Sequence, residues 1–202
     1  MKNKGLLLVI SGPSGCGKGT VCKELLQKND DYVISVSATT RNMRPGEIDG
    51  ESYFFITKEE FEEMIKNGEF LEYNCGYSGS YYGTPKKYVL DMLEQGKNVI
   101  LEIEMNGAEN VKKVYPEGIL IFLAPPSLEE LKKRLVGRGS ESEEQINERF
   151  SAAKDEIKRV YNYQYIVVND NLDDAVEQVN NIVSAEKASV ARNEKLINEL
   201  IK

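Results

Sequence analysis

The chain contains no histidine and only three cysteines in 202 residues. Without imidazole there is no Ser-His-Asp or Cys-His triad and none of the commonest zinc sites. Cys16, Cys22 and Cys75 lack metal-ligand spacing, and an odd count does not suggest a disulfide scaffold; they read as thiols in a reducing cytosol. Long apolar runs are missing too, and nothing approaches the roughly 20 residues of a membrane span. Lysines precede the apolar run LLLVI (6–10), but that run is short and enters a glycine-rich turn directly. It is therefore read as a first strand and not as a signal peptide. A formal net charge of −7 argues against broad attraction to nucleic acid or anionic membrane. Any polyanionic ligand must be held by local clusters of Arg and Lys. What remains is an ordinary globular balance, 41% hydrophobic and 29% charged, at a length that suits one compact domain with at most a small insertion.

Short apolar runs alternate with helical patterns. LLLVI, YVISV (32–36), NVILEIE (98–104), ILIFLA (119–124) and YIVVN (165–169) read as strands. Buried strands that alternate with helices indicate an α/β fold with a parallel sheet covered on both faces. Helix starts are marked by Thr57 with Glu60, Ser127 with Glu130, and Ser142 with Gln145. The segment 37–84 breaks the alternation: it is rich in Gly, Tyr, Thr and charge, and predicts an inserted, partly antiparallel subdomain. The stretch VGRGSES (136–142) predicts a mobile loop between two helices. From Leu172 a helix places Val176, Val179, Ile182 and Val183 on one face, then becomes polar over 186–202.

After the first strand comes GPSGCGKGT, Gly12 to Thr20. A strand, a glycine turn and a helix are the context of a phosphate loop, in which backbone N–H groups and a helix N-terminus face an anion. Gly12, Pro13, Ser14, Gly15, Cys16, Gly17, Lys18, Gly19 and Thr20 are the candidate ATP-binding residues, with Lys18 reaching the terminal phosphates. Gly19 stands where the usual motif has a Ser or Thr, and the hydroxyl comes one place late at Thr20. G-K-G-T resembles the nucleoside monophosphate kinases.

The stretch SVSATTRNMRPGEIDGESYFF (35–55) holds Arg41 and Arg44 in a loop, where two guanidinium forks can converge on one phosphate, with Tyr53 able to add a phenol. Farther on come Glu72 in FLEY and Tyr82, Gly83 and Thr84 in SYYGT, then EIEMNGA, FLAPPS, RLVGRG and VVND. In this order and spacing the motifs resemble the guanylate kinase family over residues 6–185. A carboxylate at Glu72 has its own physical logic. Guanine offers a ring N–H and a 2-amino group side by side, and adenine offers neither in that arrangement.

The resemblance implies a P-loop kinase core (4–36 and 85–185) with a parallel five-stranded sheet, a GMP-binding subdomain (37–84), a lid (134–149) and a C-terminal polar helix (186–202). It implies ATP-dependent phosphorylation of GMP, and of dGMP, with Mg²⁺. Arg41, Arg44, Tyr53 and Tyr82 would hold the GMP phosphate, and Ser37, Glu72 and Thr84 would read the base. Gly83 belongs to the same motif. Glu102, and Glu104 after it, stand where the family most often has D-x-D, and Asn106 where it has Gln. Lys18, Arg41, Arg134, Arg138 and Arg149 would neutralise the transferring phosphoryl group; Asn169 and Asp170 would lie on the adenine side. Thr20 would assist a magnesium ion held mainly by nucleotide oxygens and water. A cytoplasmic monomer or small homo-oligomer is expected, with ATP and GMP as small-molecule substrates and neither nucleic acid nor membrane as a partner. The rival readings are another nucleoside monophosphate kinase and a scaffold module that binds phosphopeptides. Intact Gly12, Gly17 and Lys18 weigh against the second.

Overall fold

The computed structural model describes residues 4–76, 79–137 and 142–202. In chain order the first elements are β1 (Leu7–Ser11), α1 (Lys18–Lys28), β2 (Tyr32–Ile34), β3 (Ala38–Thr39), β4 (Phe54–Phe55), α2 (Lys58–Lys66), β5 (Phe70–Cys75) and β6 (Tyr81–Pro85). There follow α3 (Lys86–Glu94), β7 (Asn98–Glu102), α4 (Met105–Val114), β8 (Ile119–Ala124), α5 (Leu128–Val136), α6 (Glu143–Lys158), β9 (Tyr165–Val168), α7 (Leu172–Ala188) and α8 (Glu194–Leu200). A parallel five-stranded sheet has the order β2-β7-β1-β8-β9, and a second, mixed sheet of four strands has the order β4-β3-β6-β5. The α/β class and the five-stranded parallel sheet are those the alternation predicted.

Chain contacts divide the molecule into two units, Met1–Ser11 with Leu26–Leu120, and Gly12–Leu25 with Ile121–Lys202. In the first, β1 pairs in parallel with β7, and β7 with β2. Every residue of β1 is buried, as a strand covered on both faces requires. The small sheet packs on α2 through Phe61, whose ring stacks on Phe70 at 4.4 Å and on Tyr81 at 5.1 Å between centroids. A bulge between Phe70 and Glu72 lets Phe70 and Leu71 both be buried before Glu72 resumes the pairing opposite Thr84. In the second unit β8 pairs in parallel with β9, and α5 packs on α6 through Leu131, Leu135, Ala153, Ile146 and Phe150.

Two of the three expected capping boxes form completely, at Thr57 with Glu60 and Ser142 with Gln145. Ser127 accepts from the Glu130 N–H, while the Glu130 carboxylate is engaged by Arg134 Nε at 3.1 Å. The strand expected over 98–104 stops at Glu102, and Glu104 becomes the N-cap residue of α4. The single polar helix expected over 186–202 is a correction: α7 ends at Ala188, and a 3-10 turn (Val190–Arg192) separates it from α8. The Ser189 hydroxyl and the Asn193 amide bond the carbonyls of Glu186, Lys187 and Ser189, offering the backbone an alternative to continued helix. The expected loop over 136–142 lies mostly outside the described residues.

Candidate functional site

The phosphate loop and its partners belong to the second unit. Gly12, Gly15 and Gly17 have positive φ. At Gly17 (φ +93°) a methyl group would also overlap the Asn169 amide nitrogen, so both backbone and space demand glycine there. Lys18 opens α1, and its Nζ donates to Gly12 O at 2.6 Å and Pro13 O at 3.3 Å. The ammonium thus spans the loop from its last turn to its first. Cys16 is buried, and Gly19 and Thr20 are exposed.

Of the three expected arginines, one contacts this loop directly and a second bonds Asn169, which itself bonds the loop. Arg149, on α6, donates to Ser14 Oγ at 3.3 Å. Arg134, on α5, donates through Nη1 to Asn169 O at 3.0 Å and through Nε to Glu130. Arg138 lies outside the described residues. Asn169, 7% exposed, donates through Nδ2 to Cys16 O at 2.8 Å. Asp170 is exposed at the start of the turn into α7. Among the described residues no group of three or more His, Cys, Asp or Glu could hold a metal ion.

The arginine loop and the small sheet belong to the first unit. Arg41 lies with its guanidinium carbon 5.0 Å from the Tyr53 ring centroid and 5.6 Å from that of Phe55. The Tyr53 and Tyr82 rings meet edge to face at 6.0 Å, which brings Tyr82 into the same cluster as Arg41. Three of the four residues expected on one phosphate are therefore together. Arg44 is exposed and joins them through its backbone N–H, which donates to Glu47 Oε2 at 2.8 Å.

Glu47 is the residue that motif reasoning passed over. Its carboxylate takes Arg41 in a two-pronged bond, Nη1 to Oε2 at 2.7 Å and Nη2 to Oε1 at 2.5 Å. The Arg41 bond, and next the Arg44 N–H, hold the Glu47 carboxyl at about 2, while the same pairing raises Arg41 further above its ordinary value. The signal was in the sequence: an acid three residues after Arg44 and six after Arg41, inside the same motif.

Glu72 is half-buried, and Oε1 accepts from Thr84 Oγ1 at 2.7 Å across the β5–β6 pairing. Burial pushes its carboxyl above the ordinary value, with Thr84 opposing and the Glu104 charge assisting. Gly107, in the first turn of α4, faces the other oxygen: a methyl group there would lie 3.1 Å from Glu72 Oε2. Ser37 precedes β3, and its carbonyl accepts from the Phe54 N–H at 2.9 Å. Gly83 is buried beneath the Phe61 and Phe70 rings. Glu102, the last residue of β7, is exposed. A half-buried carboxylate with a hydroxyl donor, near a cluster of guanidinium and phenol, can take a flat polar base and an attached phosphate.

The guanylate kinase family model matches residues 4–186. The guanylate kinase of Clostridioides difficile is 55% identical over 199 residues, covering 98% of this chain and 97% of that protein. That of Clostridium tetani is 59% identical over 189 residues, covering 94% and 90%. Among solved structures, guanylate kinase from Anaplasma phagocytophilum has a TM-score of 0.71 at 33% identity, covering 95% of this chain and 90% of its own. A Thermus thermophilus protein with a TM-score of 0.51 at 17% identity, covering 92% of this chain and 100% of its own, shares the fold alone.

Proposed function

The chain belongs to the guanylate kinase family, and on that premise we propose that it transfers the γ-phosphoryl group of ATP to GMP, giving ADP and GDP. A GMP phosphate oxygen forms the new P–O bond as the bond to the β–γ bridging oxygen breaks, and that electron pair leaves with ADP. The nucleophile is already ionised near neutral pH, so a chain without histidine needs no general base. Catalysis rests on positioning and charge neutralisation.

We assign 37–84 to GMP. Arg41, Tyr53 and Tyr82 hold its phosphate together with Arg44, and Glu47 keeps Arg41 pointed. Glu72 accepts from the guanine ring N–H and 2-amino group, while Thr84 holds the carboxylate in place and Ser37 completes the base contacts. The observation that carries the reading is this pairing of a half-buried acceptor, Glu72 on Thr84, with the Arg41–Tyr53–Tyr82 cluster in one unit. The loop from Gly12 to Thr20 takes the ATP phosphates, with Lys18, Arg134 and Arg149 supplying positive charge.

The donor set suits magnesium held the way that ion is usually held, by substrate phosphates and water; Thr20, exposed at the start of α1, offers a hydroxyl beside the loop. When bound, the ion neutralises phosphate charge. We place the reaction in the cytoplasm: none of the three cysteines is in a disulfide, and no helix of the described residues is long and apolar enough to cross a membrane.

A coupled assay of ADP release against a panel of nucleoside monophosphates tests the proposal. Turnover with GMP is expected to exceed that with AMP by about 10⁴-fold. No turnover with GMP would overturn it.

A further inference from the structure

Asn169 ties together three parts of the second unit. Its backbone N–H donates to Ala124 O, at the end of β8, at 2.8 Å. Its carbonyl accepts from Arg134 Nη1 at 3.0 Å. Its side-chain nitrogen donates to Cys16 O at 2.8 Å, a bond buried from solvent, and lies so close over Gly17 that no β-carbon fits there.

The Cys16 bond has a geometric consequence. A trans peptide is planar, and its C=O and N–H point in opposite directions. Holding the Cys16 carbonyl on Asn169 therefore points the Gly17 N–H the opposite way within the same plane. Backbone N–H groups of a phosphate loop are its anion donors, so their orientation sets how well the loop grips. An amide that is 7% exposed, with its nitrogen committed to the loop, is better placed to shape that grip than to read a base.

We propose that Asn169 is a positioning residue for the triphosphate: it pins the Cys16–Gly17 peptide so that the Gly17 N–H faces the phosphates, and its carbonyl holds Arg134 beside the same loop. This rests on reading the Gly12–Thr20 loop as the ATP-phosphate site. It assigns the residue a task independent of the adenine ring.

Titration calorimetry at constant Mg²⁺, with ATP and with inorganic tripolyphosphate, separates the two tasks, because tripolyphosphate carries no base. Asn169→Ala should weaken both by about the same factor, roughly tenfold, as expected for one lost buried hydrogen bond, and leave GMP affinity unchanged. Weakening of ATP alone, no change in either, or an equal loss of GMP affinity would overturn the proposal. A wild-type chain that binds neither polyphosphate would overturn it together with the ATP-site reading. The unsubstituted chain supplies a second measurement that needs no variant. The Asn169 side-chain amide resonances should shift alike on addition of ATP and of tripolyphosphate, and a shift with ATP alone would overturn the assignment.

Discussion

At the scale of single residues, burial and charge compete most directly at Glu72. Its folded-state pKa is raised, by burial first, so the folded chain binds that proton more tightly than the unfolded one. The group therefore favours the fold below the ordinary carboxylate pKa, and that contribution is lost as pH rises through the raised value. Glu72→Gln is expected to unfold at a higher temperature than wild type at pH 7, with the difference closing towards pH 4, as melting curves across that range would reveal. The same variant presents an amide N–H₂ to one of guanine's donors, so KM for GMP should rise at least about 100-fold with ATP affinity retained. Unchanged GMP kinetics would remove Glu72 from the base site. Glu47 is the opposite case, an acid held ionised by the arginine it orients. Recognising Arg41 in the sequence required only its motif, whereas recognising Glu47 required asking what keeps a flexible guanidinium aimed.

At the scale of elements, the first turn of α4 is packed against β5, and Gly107 is the residue that permits it. A glycine in a helix costs up to about 1 kcal/mol relative to alanine. Here an alanine would bring its methyl within 3.1 Å of Glu72 Oε2 and 3.3 Å of Ile103 Cδ1. Gly107→Ala should leave the melting temperature equal or higher while raising KM for GMP by about three- to tenfold, since a shift of a few tenths of an ångström at a hydrogen-bonding group is felt in binding. Equal KM values for the two proteins would show that the carboxylate has room to spare. The helix starts were legible because a capping box is a local device, complete at Thr57 and Ser142. The break at Ser189 was not, because its cause is Asn193 reaching back to carbonyls of the preceding turn.

At the scale of the whole molecule, a chain of net charge −7 would bind its two anionic nucleotides through cations concentrated locally. The residues assigned to GMP fall in one contact unit and those assigned to ATP in the other, so each ligand should stabilise the fold on its own account. At about 100 times its Kd, a ligand that binds only the native state contributes about 2.7 kcal/mol. For a chain of this length that corresponds to a rise of roughly 5–10 °C in Tm. ATP and GMP should each produce such a rise in a thermal-shift measurement. A Tm that responds to ATP and not to GMP would remove the GMP assignment and leave the phosphate loop standing.

By itself the sequence determined the α/β class, the phosphate loop and the guanidinium and carboxylate groups expected on GMP. These rest on local periodicity, on glycines at fixed spacing and on side chains whose chemistry matches a ligand. Tertiary structure decided which neighbours make those groups usable. Glu47 closes on Arg41 and Thr84 on Glu72; Gly107 leaves space for a carboxylate, and Asn169 holds the peptide before Gly17 from 153 residues away. The Glu47 pairing spans only six residues and could be sought within its motif, but a hydrogen bond across 153 residues depends on how the chain packs, and no local pattern records it.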